Sequence, residues 1–161
     1  PRRWRAIERL AAPGDPVLAA VFLDRAREFH RGAQIGAPIA LAPALHLLAI
    51  SCELGLKAHL LGHGWTDDAL ARDIRHDLVR ALDEARQLGL PAPGRPLADF
   101  IKSLGPAYAV HRIDALVAGG YACDIGAVLC ETGQLLDAVA ACLRPATPGA
   151  ATLRTSSSPS A

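Results

Sequence analysis

The chain has 161 residues, 51% of them hydrophobic and only 4% aromatic, with 17 basic residues against 16 acidic ones. That length and apolar content point to one domain with its own core, and the scarcity of aromatics argues against a β-sandwich or an aromatic base-stacking platform. A net charge of +1 excludes a global field that would steer the protein to nucleic acid and leaves only a local patch.

Alanine and leucine dominate, so the propensity is helical throughout. The chain starts at Pro1 and has no methionine, which suggests a trimmed start. Residues 1–15 form an N-terminal segment, Arg-rich from Pro1 to Leu10 with Trp4, Ile7 and Leu10 at helical spacing. Ala11 to Pro16 breaks it. Asp15 is placed to cap the next helix, with Pro16 in its first turn, and that helix is expected to reach about Arg31. Gly32 to Pro43 reads as a Gly/Pro-punctuated connection.

Leu41 to His63 is the longest apolar run and predicts a buried central helix. His46, Glu53 and Lys57 fall within a stripe about 40° wide on it. The stripe is narrower than a solvated face and has apolar edges. Glu53 and Lys57 form an i,i+4 pair in the favourable order. The back of this helix is small: Ser51, Gly55, Ala58 and Gly62. Two glycines seven apart inside a helix predict the close approach of another chain segment there.

After Gly62–Gly64, Thr66 is placed to cap a short acidic turn, Asp67 and Asp68. Arg72 to Leu78 leads into a helix with Leu78, Leu82, Ala85 and Leu88 on one face, closed by Gly89. His76 and Asp77 are expected in its first turn. This helix is expected to run antiparallel to the central one, which brings Lys57 near His76. Pro91 to Pro96 reads as a rigid loop, and Leu97 to Leu104 as a short helix ended by Gly105–Pro106. Gly119–Gly120 reads as a turn. Asp124 to Leu143 predicts a strong helix stopped by Pro145, and residues 146–161 have the composition of a disordered tail.

Cys52, Cys123, Cys130 and Cys142 form no CxxC and lie in apolar patterns. They are expected as reduced, packed thiols in a cytoplasmic protein. Gly32 to Cys52 carries no formal charge, but Pro38, Pro43, His46 and the following Glu53 and Lys57 argue against a membrane span. His59 and His63 are an i,i+4 pair without the glutamate of HExxH or a third ligand at motif spacing, so no metal and no cofactor is expected. Arg25 and His30 have the spacing R-x4-H, yet they point to different sides of a helix. No GxSxG and no phosphate-cradling glycine loop is present.

The constellation that remains is Glu53, Lys57, His76 and Asp77, with Arg72 nearby. Glu53-x3-Lys57 in the central helix, followed by His76-Asp77-Leu78 and ALDEARQLGL, resembles the HEPN superfamily of small helical domains. Tyr108 to Ile113 (YAVHRI) and the last helix, ending Leu143-Arg144-Pro145, extend the resemblance over roughly residues 17–145. It implies an all-α, up-and-down helical bundle over residues 16–145, often a homodimer. It also implies a toxin–antitoxin or phage-defence setting.

Members of that superfamily include metal-independent RNases and non-catalytic partners of nucleotidyltransferase-like proteins. The RNases carry R-x4-6-H late in the bundle. Here Arg112 stands in that region, but His111 precedes it and no histidine follows at four to six residues. The leading expectation is therefore an RNA- or nucleotide-binding module with little or no catalysis. Lys57, His76 and Arg112 would donate to phosphate, and Glu53 would orient Lys57. One alternative is a metal-independent RNase using His76 with Arg72 or Arg112. Another is a structural adaptor or dimerisation domain whose polar stripe only sets helix register.

Overall fold

The computed structural model describes residues 14–144. The N-terminal segment before Gly14 and the tail from Pro145 onward, including the expected stop at Pro145, lie outside the described residues. The described chain is all-α: α1 (Pro16–Gly36), α2 (Leu41–Gly62), α3 (Asp67–Ala69) running into a π-helical turn (Leu70–Ile74), α4 (Leu78–Gln87), α5 (Arg95–Ala109), α6 (Ile113–Ala118) and α7 (Ile125–Leu143). No strand occurs among the described residues.

Start signals act where the residue types place them. The Asp15, Thr66, Asp77 and Asp124 side chains accept the backbone N–H of Leu18, Ala69, Arg80 and Ala127, satisfying donors that have no partner inside the helix. Gly89 sits at φ 89° and Gly120 at φ 91°, which lets them close α4 and the turn after α6 without a Cβ clash.

α2 is the central element, as its sequence predicts. Ala44, Leu45, Leu48, Ala49, Cys52, Leu56, Ala58, Leu60 and Leu61 are all fully buried. α1 lies antiparallel on it. Asp15 N–H donates to Leu61 O, Ser51 Oγ to Ala26 O, and Gly32 packs on Leu47. α7 runs parallel on the small face. A Cβ on Gly55 would stand 2.5 Å from Leu136 Cδ2, and one on Gly62 2.2 Å from Leu143 Cδ2. Two glycines seven apart thus receive two leucines seven apart, so the small back of α2 exists to seat α7.

Four local expectations are corrected. α1 does not stop near Arg31 but continues to Gly36, so the connection is only residues 37–40 and Pro43 lies in the first turn of α2. Gly32 lies inside this helix, where a Cβ would stand 3.4 Å from Leu47 Cδ1. α5 does not end at Gly105–Pro106 but runs on to Ala109. Pro106 deprives the Lys102 carbonyl of its helical N–H, and both residues are on the exposed face where water is available. Gly105 meanwhile packs against Leu78 and Val79, at distances that a Cβ would also allow.

His76 and Asp77 are not in the first turn of α4: Asp77 is its N-cap and His76 precedes it. Finally, α4 runs in the same sense as α2, not antiparallel to it. Its start lies at Glu53, through His76, and its end lies at His59, whose Nε2 bonds the Leu88 carbonyl. The segment Asp67–Ile74 carries the chain back along the bundle before α4 begins.

Both α2 and α7 are long and apolar enough to cross a membrane by length and composition alone. In α2 that surface is turned into the bundle, whereas much of α7 is left uncovered. All four cysteines are free thiols. Only Cys52 packs as a buried hydrophobe, and burial pushes its thiol up to about 12. Cys130 and Cys142 are exposed rather than packed.

Candidate functional site

Glu53 is the one acidic side chain buried among the described residues, and three elements converge on it. Lys57, one turn on in α2, reaches Oε1 at 2.5 Å. His76, from the link before α4, puts Nδ1 3.0 Å from Oε2. Tyr108, from the last turn of α5, donates its hydroxyl to the same Oε2 at 2.5 Å. Burial alone would raise the Glu53 carboxyl. The bonds from Lys57, Tyr108 and His76 outweigh that and hold it below the usual carboxylate range. The same contact works the other way on Tyr108, whose hydroxyl is pushed well above its ordinary range by burial and by the Glu53 carboxylate.

An ionised Glu53 can only accept, so Nδ1 of His76 carries a proton. A neutral His76 then presents Nε2 as a lone pair. The His76 side chain is 48% exposed while its anchor is 8% exposed. A buried carboxylate thus fixes the tautomer and tilt of a ring that reaches solvent. His46 completes the α2 stripe by standing edge-on to Tyr108, ring centroids 5.8 Å apart.

His76 opens onto a cleft of about 590 Å³ whose lining includes Arg72, Arg75, Arg80 and His111. The rings of His76 and His111 are 5.7 Å apart and inclined at 65°. Arg72 is held by Asp73 through two bonds of 3.2 and 3.3 Å. Arg75 and Arg80 make no side-chain ion pair among the described residues.

The backbone here is unusual. Arg75 has φ 55° and ψ −114°, and the Asp77 N–H bonds the Ile74 carbonyl at 3.0 Å. That is a type II′ turn with arginine where glycine is favoured. His111 has φ 56°. These are the two non-glycine residues with positive φ among the described residues, and both line the same cleft. Such conformations cost of order 1–3 kcal/mol and persist where surroundings or function demand them.

Of the expected site residues, the structure brings together Glu53, Lys57 and His76. Asp77 lines the cleft but its carboxylate caps α4. Lys57 faces Glu53 and does not line the cleft, and Arg112, the N-cap of α6, does not line it either. Arg72 does line it. Tyr108, Arg75, Arg80 and His111 were not singled out as site residues by sequence. Tyr108 did carry a signal: it continues the buried spacing Leu97, Ile101, Leu104 of α5, and a tyrosine on a core stripe needs a partner for its hydroxyl.

Arg25 and His30 do not meet. Arg25 bonds Glu28 on the surface, while His30 reaches the Leu129 carbonyl. His59 and His63 have ring centroids 4.1 Å apart. His59 Nδ1 is buried with no hydrogen-bond partner, and no group of three His, Cys, Asp or Glu residues placed to hold a metal occurs among the described residues. The chain matches no protein-family model, no curated protein and no solved structure.

Proposed function

We propose that this domain is an RNA- or nucleotide-binding module that grips phosphate in the cleft beside His76. The observation that carries the reading is the gathering of Arg72, Arg75, Arg80, His76 and His111 around one recess, with His76 anchored on buried Glu53. Guanidinium groups recognise phosphate in a planar, two-bonded geometry, and the three arginines outnumber the two carboxylates of the cleft, Asp73 and Asp77, which are engaged with Arg72 and as the cap of α4. The resemblance to HEPN domains supports the same ligand class and a defence or toxin–antitoxin setting. It also supports a homodimer or a nucleotidyltransferase-like partner. Val17, Val21 and Ile35 are exposed on α1, apolar surface that such a partner would cover.

Lys57 has a different role from direct phosphate contact: it neutralises Glu53 behind the histidine. The test is binding of a short single-stranded RNA at low salt by fluorescence anisotropy. His76→Ala is expected to weaken binding about ten-fold with the fold retained, and affinity is expected to fall steeply with salt, as phosphate contacts require. Unchanged affinity in His76→Ala would remove the cleft from the reading.

A second reading, a metal-independent RNase, is favoured by one feature: Glu53 accepts the hydrogen bond of His76 Nδ1–H and so leaves Nε2 to act as base toward a 2′-hydroxyl. Arg72 would then stabilise the developing charge. RNA shortened by the wild type in the presence of EDTA, and left intact by His76→Ala, would establish it.

A further inference from the structure

The proposed phosphate cleft carries a finer distinction. Arg72 is occupied by Asp73, both of whose oxygens it meets. Asp77 is engaged as the cap of α4, accepting the Arg80 N–H at 3.0 Å. That leaves the guanidinium groups of Arg75 and Arg80, which have no side-chain ion pair among the described residues. Arg75 projects from the strained II′ turn and Arg80 from the first turn of α4, so two separate backbone elements present them to the same recess.

Each planar guanidinium can grip two oxygens. An internal phosphodiester offers two terminal oxygens and one negative charge, which a single guanidinium satisfies. A phosphate monoester offers three terminal oxygens and a charge of about −1.5 to −2 near neutral pH, which matches two. A diester would therefore leave one arginine of the pair without a partner, and a terminal phosphate would use both.

We propose, resting on the phosphate-binding reading above, that the cleft selects a terminal phosphate monoester over an internal phosphodiester. The ligand is a phosphorylated RNA end or a mononucleotide, since both present the same group. Arg75 and Arg80 are the specificity-determining residues. Both are exposed, so their substitution leaves the core untouched.

The experiment compares one short single-stranded RNA in three forms: 5′-phosphorylated, 3′-phosphorylated, and hydroxyl at both ends. AMP, adenosine and inorganic phosphate serve as competitors. A phosphorylated end is expected to bind at least ten-fold more tightly than hydroxyl ends. AMP should compete where adenosine does not. Arg75→Ala and Arg80→Ala should each abolish the preference, and Arg80→Lys, which keeps the charge but loses the fork, should restore only part of it. Competition by AMP equal to that of the phosphorylated RNA assigns the site to free nucleotides, and a gain confined to the 5′ or the 3′ form assigns it to that RNA end. Equal binding of phosphorylated and hydroxyl-ended RNA overturns the selectivity and leaves RNA binding standing. A preference that survives both arginine variants overturns the assignment to these residues. Failure of every ligand to bind overturns both this inference and the phosphate-binding reading.

Discussion

Arg75 is the residue at which the fold and the proposed phosphate binding pull apart. Its φ of 55° suits glycine and costs an L-residue about 1 kcal/mol or more. The chain nevertheless places a long cation there, at the lip of a cleft with two other arginines. Arg75→Gly is therefore expected to raise stability by about 1 kcal/mol, seen as a higher urea midpoint at unchanged slope, and to weaken phosphate binding at the same time. A loss of stability would mean that the arginine side chain supports the fold and that the turn is not a sacrifice to the cleft. Glu53 shows the opposite pattern. Its carboxylate is buried, yet three donors from three elements meet it, so its charge is compensated where a lone buried ion would not persist.

At the scale of elements, α2 decides the architecture because its two faces make different demands. One face is narrow and polar and collects Tyr108 and His76. The other is stripped of side chains so that α7 can approach. Gly55→Ala adds a methyl group where Leu136 Cδ2 stands 2.5 Å away. The gain in helix propensity, about 1 kcal/mol, is opposed by overpacking of about 1–3 kcal/mol, and a net destabilisation of about 1 kcal/mol is expected. Leu136→Ala alone should cost about 3 kcal/mol. The double variant should lose less than the sum of the two, because each change relieves the other. Strict additivity in a denaturant cycle would show that the two side chains do not share the contact.

At the scale of the whole molecule, acid sensitivity follows from His59. It is fully buried in α2 with Nδ1 unpartnered. Burial, then the neighbouring His63, hold its pKa down to about 4 against an ordinary 6.5. The unfolded chain therefore binds a proton that the folded chain refuses between those values. Stability from this site is complete above about pH 6.5 and falls as the pH drops toward 4, by up to about 3 kcal/mol. The depressed Glu53 carboxyl adds a further loss as the pH falls below the ordinary carboxylate range, when it protonates and its three bonds weaken. Folding free energy measured from pH 7 to 4 should show the decline, and His59→Gln, which keeps a donor for the Leu88 carbonyl without titrating, should flatten it. An equally steep decline in His59→Gln would assign the acid sensitivity elsewhere.

Periodicity and caps alone determined much of this protein. The all-α class, the central helix to within a residue, the caps at Asp15 and Thr66, and the turns at Gly89 and Gly119–Gly120 are all local chemistry, so they are legible in the linear order. The small face of α2 announced a close neighbour. The Glu53–Lys57–His76 group was legible as well, since a narrow polar stripe on an apolar helix requires partners. The tertiary structure alone decided which partners those are. Tyr108 completes the carboxylate's shell, and Arg75, Arg80 and His111, rather than Arg112, form the cleft wall with His76. It also decided that α5 passes through Gly105–Pro106 and that α4 runs with α2. Each of these depends on where a group meets solvent or a distant helix. A proline whose lost hydrogen bond faces water does not end a helix, and a π turn that reverses the chain leaves no periodic trace. Residues far apart in sequence become one site only when packing around α2 sets their distance.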